Sequence, residues 1–263
     1  MNGVYCGRRQ ILDHGYIEVV ESYGSDERIV EAARMSTGKG FLGWEPGVCP
    51  TCNGLGDDNE LHRFNACKDC NGTGKIPGDL GLLRRLWVKK HAPPFEMAGS
   101  IIEVQAPIMV FREWHRHRTQ SYNEMSARYT PLPDLNYIPT VERLMMNAGT
   151  KNRQAGTVDG AAVLTPEQAE GFRMRLETAY MLDQELYEQA LAMGVPKELA
   201  RTHLPVGRYS RMRAAANLRN WLAFLTLRMA EDAQWEIRQY AQALCGMLME
   251  RFPRTMTLFL EGK

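Results

Sequence analysis

The sequence lacks several features that would place the protein in a special class. It has no apolar run near the roughly 20 residues that cross a bilayer, so it predicts no membrane-spanning segment. Its first ten residues, MNGVYCGRRQ, lack the apolar stretch of a signal peptide, so we expect a cytoplasmic protein. The charges almost cancel, at a net +1, so no overall basic field indicates a nucleic-acid partner. No GxGxxG motif follows a predicted strand, which argues against a Rossmann nucleotide fold.

What remains is an ordinary globular composition, with 44% apolar and 24% charged residues among 263, enough for a sizeable core. The residue patterns predict mixed α and β structure. We expect strands at residues 16–21 and 101–105, extended chain at 126–130 and 135–139, and a surface loop at about 147–164. Helices are expected after Ser25, Asp79, Pro107, Thr165 and Pro196, and over 211–252 with a break near 231–232.

Four of the six cysteines form a repeated pattern. CPTCNGLG begins at Cys49 and CKDCNGTG begins at Cys67, and each is a copy of CxxCxGxG. Two such pairs can supply four thiolates to one ion, and soft sulfur ligands favour zinc. Disulfides and free thiols are the alternatives. We expect a structural zinc held by Cys49, Cys52, Cys67 and Cys70, within an insertion at residues 45–78 that resembles half of the cysteine-rich zinc domain of DnaJ chaperones.

Cys6 and Cys245 stand apart from this pattern. We expect the first to be a thiol near the chain terminus and the second to be buried in a helix.

A polar segment, RHRTQSYNEMSARY at residues 116–129, concentrates three arginines, a histidine and a glutamate. These groups cannot all enter an apolar core, because each isolated charge there would cost several kcal/mol. They must line a solvated face or a polar site. Arginine forks match phosphate oxygens bidentately, so a phosphorylated ligand is one interpretation, and a solvated charged loop is the other.

The order of residues in this segment resembles the signature of the flavin-dependent thymidylate synthase (ThyX) family, in which RHR is followed by seven residues and a serine, here Ser126. Further segments are similar to the same family and come in the same order. They are AARMS near Ser36, KKHAPPFE around His91, VPKELARTHLPVGRYSR, NLRNWLAFLTLR and AQWEIRQYA.

The resemblance implies a fold, a reaction and an assembly. The fold is α+β, with a central antiparallel sheet flanked by helices, in one catalytic domain over 1–263 that carries the zinc insertion. The reaction is the reductive methylation of dUMP to dTMP, with methylenetetrahydrofolate as carbon donor and NADPH-reduced FAD as hydride donor. The family builds its flavin sites between the subunits of a homotetramer, so we expect the same assembly.

The resemblance also assigns site residues. Arg228 and Ser126 are the expected catalytic residues. The substrate-binding set is Glu113, Arg116, Glu124, Ser126, Ala127, Arg128, Arg201 and Arg228. The flavin-binding set is Ser36, His91, Glu96, Arg116, His117, Arg118, Glu124, Asn217 and Arg219.

The chain departs from the family at several of these places. It has Glu113 where the family has glutamine, and Ala127 where the family has glycine. The other departures are Ala223 for asparagine, Pro93 for threonine and Met97 for histidine. Glu113 beside a phosphate would be repulsive, so we expect that contact to be lost or rearranged.

Other interpretations stay open at this point. The signature segment lacks a cysteine nucleophile, and a Ser126 alkoxide would need an adjacent base, so a binding role is favoured for Ser126. Arg228 could instead form an ion pair with Glu231 or Asp232. A zinc-containing nucleic-acid-binding protein, with the RHR segment on backbone phosphates, is the rival function. In a third interpretation, the insertion recruits a partner protein.

Overall fold

The computed structural model describes residues 7–57, 66–146 and 163–262. The chain forms two compact units. The first contains Met1–Glu21, Ile101–Ala216 and Ala223–Met247, and the second contains Ser22–Ser100, Asn217–Leu222 and Leu248–Lys263. Cys6 and most of the predicted loop at 147–164 lie outside the described residues. Within the described ranges, no helix is both long and apolar enough to cross a bilayer.

Strands and helices are mixed along the chain. The strands are β1 Arg9–Ile11, β2 Gly15–Tyr23, β3 Gly47–Val48, β4 Lys75–Ile76, β5 Gly99–Pro107, β6 Ser121–Glu124 and β7 Tyr209–Asn217. The helices are α1 Asp26–Arg34, α2 Leu80–Val88, α3 Ile108–Trp114, α4 Val141–Met145, α5 Pro166–Ala192, α6 Lys197–Ala200, α7 Leu218–Arg228, α8 Trp235–Arg251 and α9 Pro253–Glu261. One sheet has the strand order β1-β2-β5-β7-β6, and β3 pairs with β4 in a second. This combination confirms the predicted α+β class.

The first unit is built around β7, which the sequence analysis assigned to a helix. That prediction is wrong for residues 211–217, because β7 lies between β5 and β6 in the sheet. Its pairing with β6 is antiparallel, with Ser121 opposite Ala215 and Glu124 opposite Met212. Met212 and Ala214 are buried and the residues between them are exposed, as a strand requires. The tertiary pairing therefore overrides the helical propensity of the Ala-rich segment.

The helices that follow β7 close the apolar core of the first unit. α7 ends at Arg228 and α8 begins at Trp235, so the predicted break near 231–232 is confirmed. In the core, the ring of Trp114 from α3 lies 4.5 Å from that of Phe224 in α7. Cys245 is buried in α8, as predicted.

The chain after β6 turns sharply instead of continuing as the predicted extended segment at 126–130. The amides of Tyr129 and Thr130 both donate to the carbonyl of Ser126, at 3.0 and 3.2 Å. The Ser126 hydroxyl also accepts the Arg128 amide at 3.3 Å. A serine that bonds the backbone two residues ahead stabilises a turn, which explains the difference.

Capping residues set the helix starts, as predicted from the sequence. Ser25 accepts the Arg28 amide at the start of α1, and Thr165 with Gln168 forms a capping box at the start of α5. Asp79 precedes α2, but its side chain makes no cap bond, so the prediction that it caps this helix is wrong.

In the second unit, the buried carboxylate of Asp26 caps a different helix, α9. It accepts the amide of Arg254 at 2.7 Å, the amide of Thr255 at 3.1 Å and the Thr255 hydroxyl at 2.6 Å. Burial raises the pKa of Asp26, and these three donors oppose that rise. One carboxylate therefore satisfies donors that α9 cannot pair internally.

Replacing Asp26 should destabilise the second unit markedly. Asp26→Ala would leave buried donors unpaired, and we expect a loss of about 2–4 kcal/mol in the free energy of unfolding, measured with urea. Asp232→Ala removes an exposed aspartate and should change stability by less than about 0.5 kcal/mol. Equal effects of the two variants would contradict this role for Asp26.

Candidate active site and zinc centre

A cavity of about 330 Å³ opens in the first unit. Its wall combines apolar side chains with charged and hydroxyl groups: Ile108, Phe111, Arg112, His115, Glu124, Met125, Ser126, Ala127, Leu132, Arg201 and Ser210. A small cleft with a few convergent polar groups is the usual form of a small-molecule site.

Four separate pieces of chain bring the polar groups together. α3 provides Arg112, the end of β6 provides Glu124, and the turn after β6 provides Ser126. Arg201 begins a single 3-10 turn after α6. In the part of the chain that the structure describes, neither Arg112 nor Arg201 has an ion-pair partner. Both charges are therefore available to an anionic ligand.

Half of the substrate-binding set that the resemblance implies lines this cavity: Glu124, Ser126, Ala127 and Arg201. Arg128 is not on the wall. Its side chain is exposed and forms an ion pair with Glu198, with Nε 3.2 Å from the carboxylate. The Arg128 amide is also engaged, because it donates to the Ser126 hydroxyl.

Arg228, Glu113 and His117 form a second cluster. Arg228 donates from Nη1 to the Glu113 carboxylate at 2.8 Å and from Nη2 to the Glu113 carbonyl at 2.7 Å. Its Nε donates to Nε2 of His117 at 2.9 Å. The alternative prediction, an ion pair of Arg228 with Glu231 or Asp232, is therefore wrong. Glu113 is also absent from the cavity wall, so its charge is neutralised by Arg228 away from the groups that could hold an anion.

The same contacts keep His117 neutral. Burial first, and then the positive charge of Arg228, lower its pKa to about 4, and the negative charge of Glu113 partly opposes both. With Nε2 accepting from Arg228, the single ring proton belongs on Nδ1. The neighbouring Tyr122 hydroxyl donates to the His117 carbonyl at 2.6 Å, and burial raises the pKa of Tyr122 to about 12. This part of the site therefore holds fixed protonation states around neutral pH.

The nine residues assigned to the flavin divide between the two units. Arg116, His117, Arg118 and Glu124 belong to the first unit, and Ser36, His91, Glu96, Asn217 and Arg219 belong to the second. Arg116 and Arg118 are exposed, as are Ser36, His91 and Arg219.

Within the second unit, Arg219 forms an ion pair with Glu96. Asn217 accepts the Asn220 amide at 2.9 Å at the start of α7. Ser36 donates to the carbonyl of Ala33 at 3.2 Å.

The assigned site residues did not include three polar residues of the cavity wall: Arg112, His115 and Ser210. Arg112 lies in α3 and His115 directly follows that helix, just before the RHR signature. Ser210 was missed because a helix was predicted from residue 211 onward, so no strand was expected there. If the segment had been predicted as a strand, Ser210 and Met212 would have been expected on the same face of the sheet.

The four cysteines of the repeat converge. Their sulfur atoms all lie within 4.8 Å of one another, and all four residues are buried. The Sγ atoms of Cys49 and Cys67 are 3.9 Å apart, and those of Cys52 and Cys70 are 3.7 Å apart. A tetrahedral site with Zn–S bonds of about 2.3 Å has sulfur–sulfur edges of about 3.8 Å, so the donor set fits zinc.

The two copies of the repeat have the same backbone geometry. Asn53 and Asn71 both have positive φ, 47° and 54°. Gly56 and Gly74 both have positive φ, and their amides donate to the sulfurs of Cys52 and Cys70, at 3.3 and 3.2 Å. A side chain on Gly74 would lie 2.3 Å from a carbonyl oxygen of the other copy. The glycines therefore allow each loop to wrap closely around its thiolates.

Asp79 fastens this insertion to the end of α1. Its carboxylate is fully buried. It accepts Nε of Arg34 at 3.0 Å and the amide of Leu42 at 2.8 Å. Lys39 donates to the carbonyl of Asp69, in the second copy of the repeat, at 3.1 Å. The segment at 35–42, which contains Ser36, is thus held at both ends and in the middle.

Comparisons with known proteins agree with this geometry. Residues 18–254 match the family described as thymidylate synthase complementing protein. Flavin-dependent thymidylate synthases of Thermus thermophilus and Thermosipho africanus are 34% and 33% identical to this chain. The matches cover 95% and 96% of this chain, and 77% and 93% of those proteins. The crystal structure of a UMP/dUMP methylase, PolB from Streptomyces cacaoi bound with 5-Br UMP, has a TM-score of 0.72, 27% identity and 96% coverage of both chains.

The fold and the matches define a flavin-dependent nucleotide methyltransferase. This chain belongs to the flavin-dependent thymidylate synthase family, and the resemblance found in its sequence is confirmed. The enzyme interpretation therefore prevails over the nucleic-acid-binding alternative.

The low pKa of His117 predicts a pH dependence of stability. Between the ordinary value of 6.5 and about 4, the unfolded chain binds a proton at this site and the native protein does not. Stability should therefore fall as the pH falls through this window, by roughly 1 to 2 kcal/mol after a discount for partial exposure.

The variant His117→Gln keeps an acceptor for Arg228 but cannot titrate, so it should lose this part of the pH dependence. Urea unfolding at about pH 7 and about pH 4.5 measures it. Parallel stability losses in the two proteins would refute the assignment.

Proposed function

We propose that this enzyme converts dUMP to dTMP, with methylenetetrahydrofolate as the carbon donor and FAD, reduced by NADPH, as the hydride donor. The observation that carries the proposal is the cavity in which Ser126 and Ala127 of the RHR segment meet Arg201 from a distant part of the chain. A phosphate-sized anion needs such a convergence of donors, and an exposed charged loop would not produce it.

The cavity is the proposed phosphate site of dUMP. Arg201 and Arg112 supply positive charge, the Ser126 hydroxyl can donate, and the backbone N–H of Ala127 is a further proposed donor. Binding of the phosphate, which is remote from the reacting carbon, provides energy that positions the uracil ring. Arg128 would join this site by exchanging its exposed partner Glu198 for the phosphate, since exposed ion pairs are weak.

Arg228 is the residue proposed to act on the uracil. A guanidinium near a uracil carbonyl would stabilise negative charge as C5 becomes nucleophilic. Its contacts with Glu113 and His117 fix its orientation. Glu113 thus has a positioning role here in place of the phosphate contact that glutamine makes in the family. This arrangement accommodates the substitution, because its charge is compensated within the chain.

Ser126 is proposed to bind the substrate and not to attack it. Its Oγ accepts the Arg128 amide, and no imidazole or carboxylate is hydrogen-bonded to it within the described ranges. An alkoxide would need such a base. Arg116 and Glu124 complete the proposed substrate set, and Glu113 acts on it only through Arg228.

FAD supplies the hydride chemistry when it is bound, and NADPH is its proposed reductant. The proposed flavin contacts Ser36, His91, Arg116, Arg118 and Arg219 are exposed, so they can reach an external ring or diphosphate. Glu96, His117, Glu124 and Asn217 complete the set. A yellow purified protein that bleaches with NADPH in the absence of oxygen would support both cofactors.

The assembly is proposed to be a homotetramer with FAD between subunits. α5 and the residue that caps its C-terminus support an oligomer because they leave several large apolar side chains exposed: Met174, Met181, Leu182, Leu186 and Met193. Such surface commonly becomes buried in an interface. We place the enzyme in the cytoplasm, where four thiolates remain reduced for metal binding. Its organisation is proposed as one catalytic domain with the insertion at 45–78.

Zinc is proposed to occupy the four-cysteine site in a structural role. Four sulfur ligands leave no open position for water on the metal. Through Asp79 and Lys39, the loaded insertion would fix the segment at 35–42 and so the place of Ser36.

Removing the arginine at the centre of the cavity should weaken substrate binding. We expect Arg201→Ala to raise the KM for dUMP at least about tenfold with a smaller change in kcat, because a charge-assisted contact to a remote phosphate is lost. Arg28→Ala, which removes an exposed arginine of α1, is the matched control and should behave as wild type. An unchanged KM in the Arg201 variant would reject this phosphate site.

Metal analysis should find one zinc per chain, lost in Cys70→Ser and kept in Cys245→Ala. The Cys70 variant should unfold at a lower temperature and retain less FAD, because the segment at 35–42 loses its support. Equal zinc content in the two variants would exclude the four-cysteine site. Full FAD retention without zinc would exclude the positioning role of the insertion.

A further inference from the structure

Ser210 has an unusual environment for a serine. The residue is 1% exposed, at the start of β7. Its Oγ has no hydrogen-bond partner among the described residues. Most buried hydroxyls are paired, because an unpaired one destabilises the fold. Ser210 is also one of the residues that line the proposed phosphate cavity. A bound ligand would therefore supply the partner that the protein does not.

The position of Ser210 is fixed by its neighbours. Arg208, also 1% exposed, donates to Asp134 at 2.9 Å, to Gln184 at 2.8 Å and to the carbonyl of Leu132 at 3.3 Å. These bonds fasten the start of β7 to two other segments. The Tyr209 amide donates to the carbonyl of Leu135 at 2.8 Å. The Ser210 side chain is thus held before any ligand arrives.

The groups around Ser210 indicate which part of a ligand it meets. The residues that line the cavity include two arginines, Arg112 and Arg201, the hydroxyl residue Ser126 and one carboxylate residue, Glu124. On β7, the next residue that shares the face of Ser210 is Met212, which is buried opposite Glu124. Positive charges and hydroxyl donors together match phosphate oxygens, which only accept hydrogen bonds.

We propose that Ser210 is a further substrate-binding residue, whose hydroxyl donates to the 5′-phosphate of the nucleotide together with Arg201 and Ser126. This inference rests on the proposed function, because it assigns a donor to the phosphate of the same dUMP site. It adds a residue outside the RHR signature and from a different strand of the sheet. A pre-positioned donor binds without an entropic cost of ordering, so it contributes to affinity directly.

The unpaired hydroxyl gives the proposal a signature that a structural residue would not show. Ser210→Ala removes a buried polar atom without a partner, so the ligand-free protein should melt at the same temperature or higher. Its affinity for dUMP should nevertheless fall about tenfold, which is typical for the loss of one hydrogen bond to a charged group. If Ser210 were needed only for folding, its substitution would lower both the melting temperature and the affinity for dUMP.

The experiment measures Kd by calorimetry on the zinc- and flavin-loaded enzyme, with dUMP and with deoxyuridine, which has no phosphate. Ser210→Ala and Ser210→Val should raise the Kd for dUMP about tenfold and leave the Kd for deoxyuridine unchanged. Ser210→Thr, close to valine in shape but with a hydroxyl, should bind dUMP nearly as wild type. Ser100→Ala is the matched control, since Ser100 is also a buried strand serine but already pairs with Ser22 at 2.9 Å.

Each other result counts against the assignment. Equal weakening of dUMP and deoxyuridine would place the hydroxyl on the sugar or the base, and an unchanged dUMP affinity in the alanine and valine variants would remove Ser210 from the site. If wild-type enzyme methylates dUMP while these variants bind it normally, only Ser210 is overturned. If wild-type enzyme neither binds nor methylates dUMP, the proposed function fails and this inference fails with it.

Discussion

The antiparallel pairing of β6 with β7 is the interaction on which the candidate active site depends. It sets Glu124 opposite Met212, and the next backbone bond, from the Met125 amide to the Arg211 carbonyl at 2.8 Å, carries the pairing into the turn at Ser126. Because strand pairing has a period of two residues, a shift by one would turn every side chain to the opposite face. The cavity would then lose both its turn and its buried hydroxyl.

Charge compensation explains how the site tolerates a carboxylate next to its signature segment. Glu113 would repel a phosphate if it faced one, but Arg228 binds both its carboxylate and its carbonyl. The same guanidinium holds His117 as a neutral acceptor. Arg228, Glu113 and His117 are thus joined in one hydrogen-bonded cluster. The guanidinium of Arg201 is not part of this cluster, so it is available to an anion. The substitution at position 113 has redistributed the charges of the site without removing them.

The four-cysteine insertion differs from the cavity, because most of its geometry is set by residues close together in the sequence. Each copy of the repeat carries its own turn residues, Asn53 or Asn71 followed by glycines with positive φ, and each turn directs backbone amides at its own sulfur. Only the meeting of the two copies and the bonds of Asp79 involve distant residues. A segment this short cannot bury a large core, so metal coordination is the natural source of its stability.

The sequence by itself determined whatever depends on near neighbours or on an ordered signature. The four-cysteine centre, the caps at Ser25 and Thr165 and the family of the enzyme were all predicted, because spacing and residue order carry them. Only the tertiary structure decided that the segment at 211–217 is a strand, that Arg228 pairs with Glu113, and that Ser210 faces the cavity. These outcomes depend on which distant segments pack together, and neither helical propensity nor charge pattern along one chain contains that information.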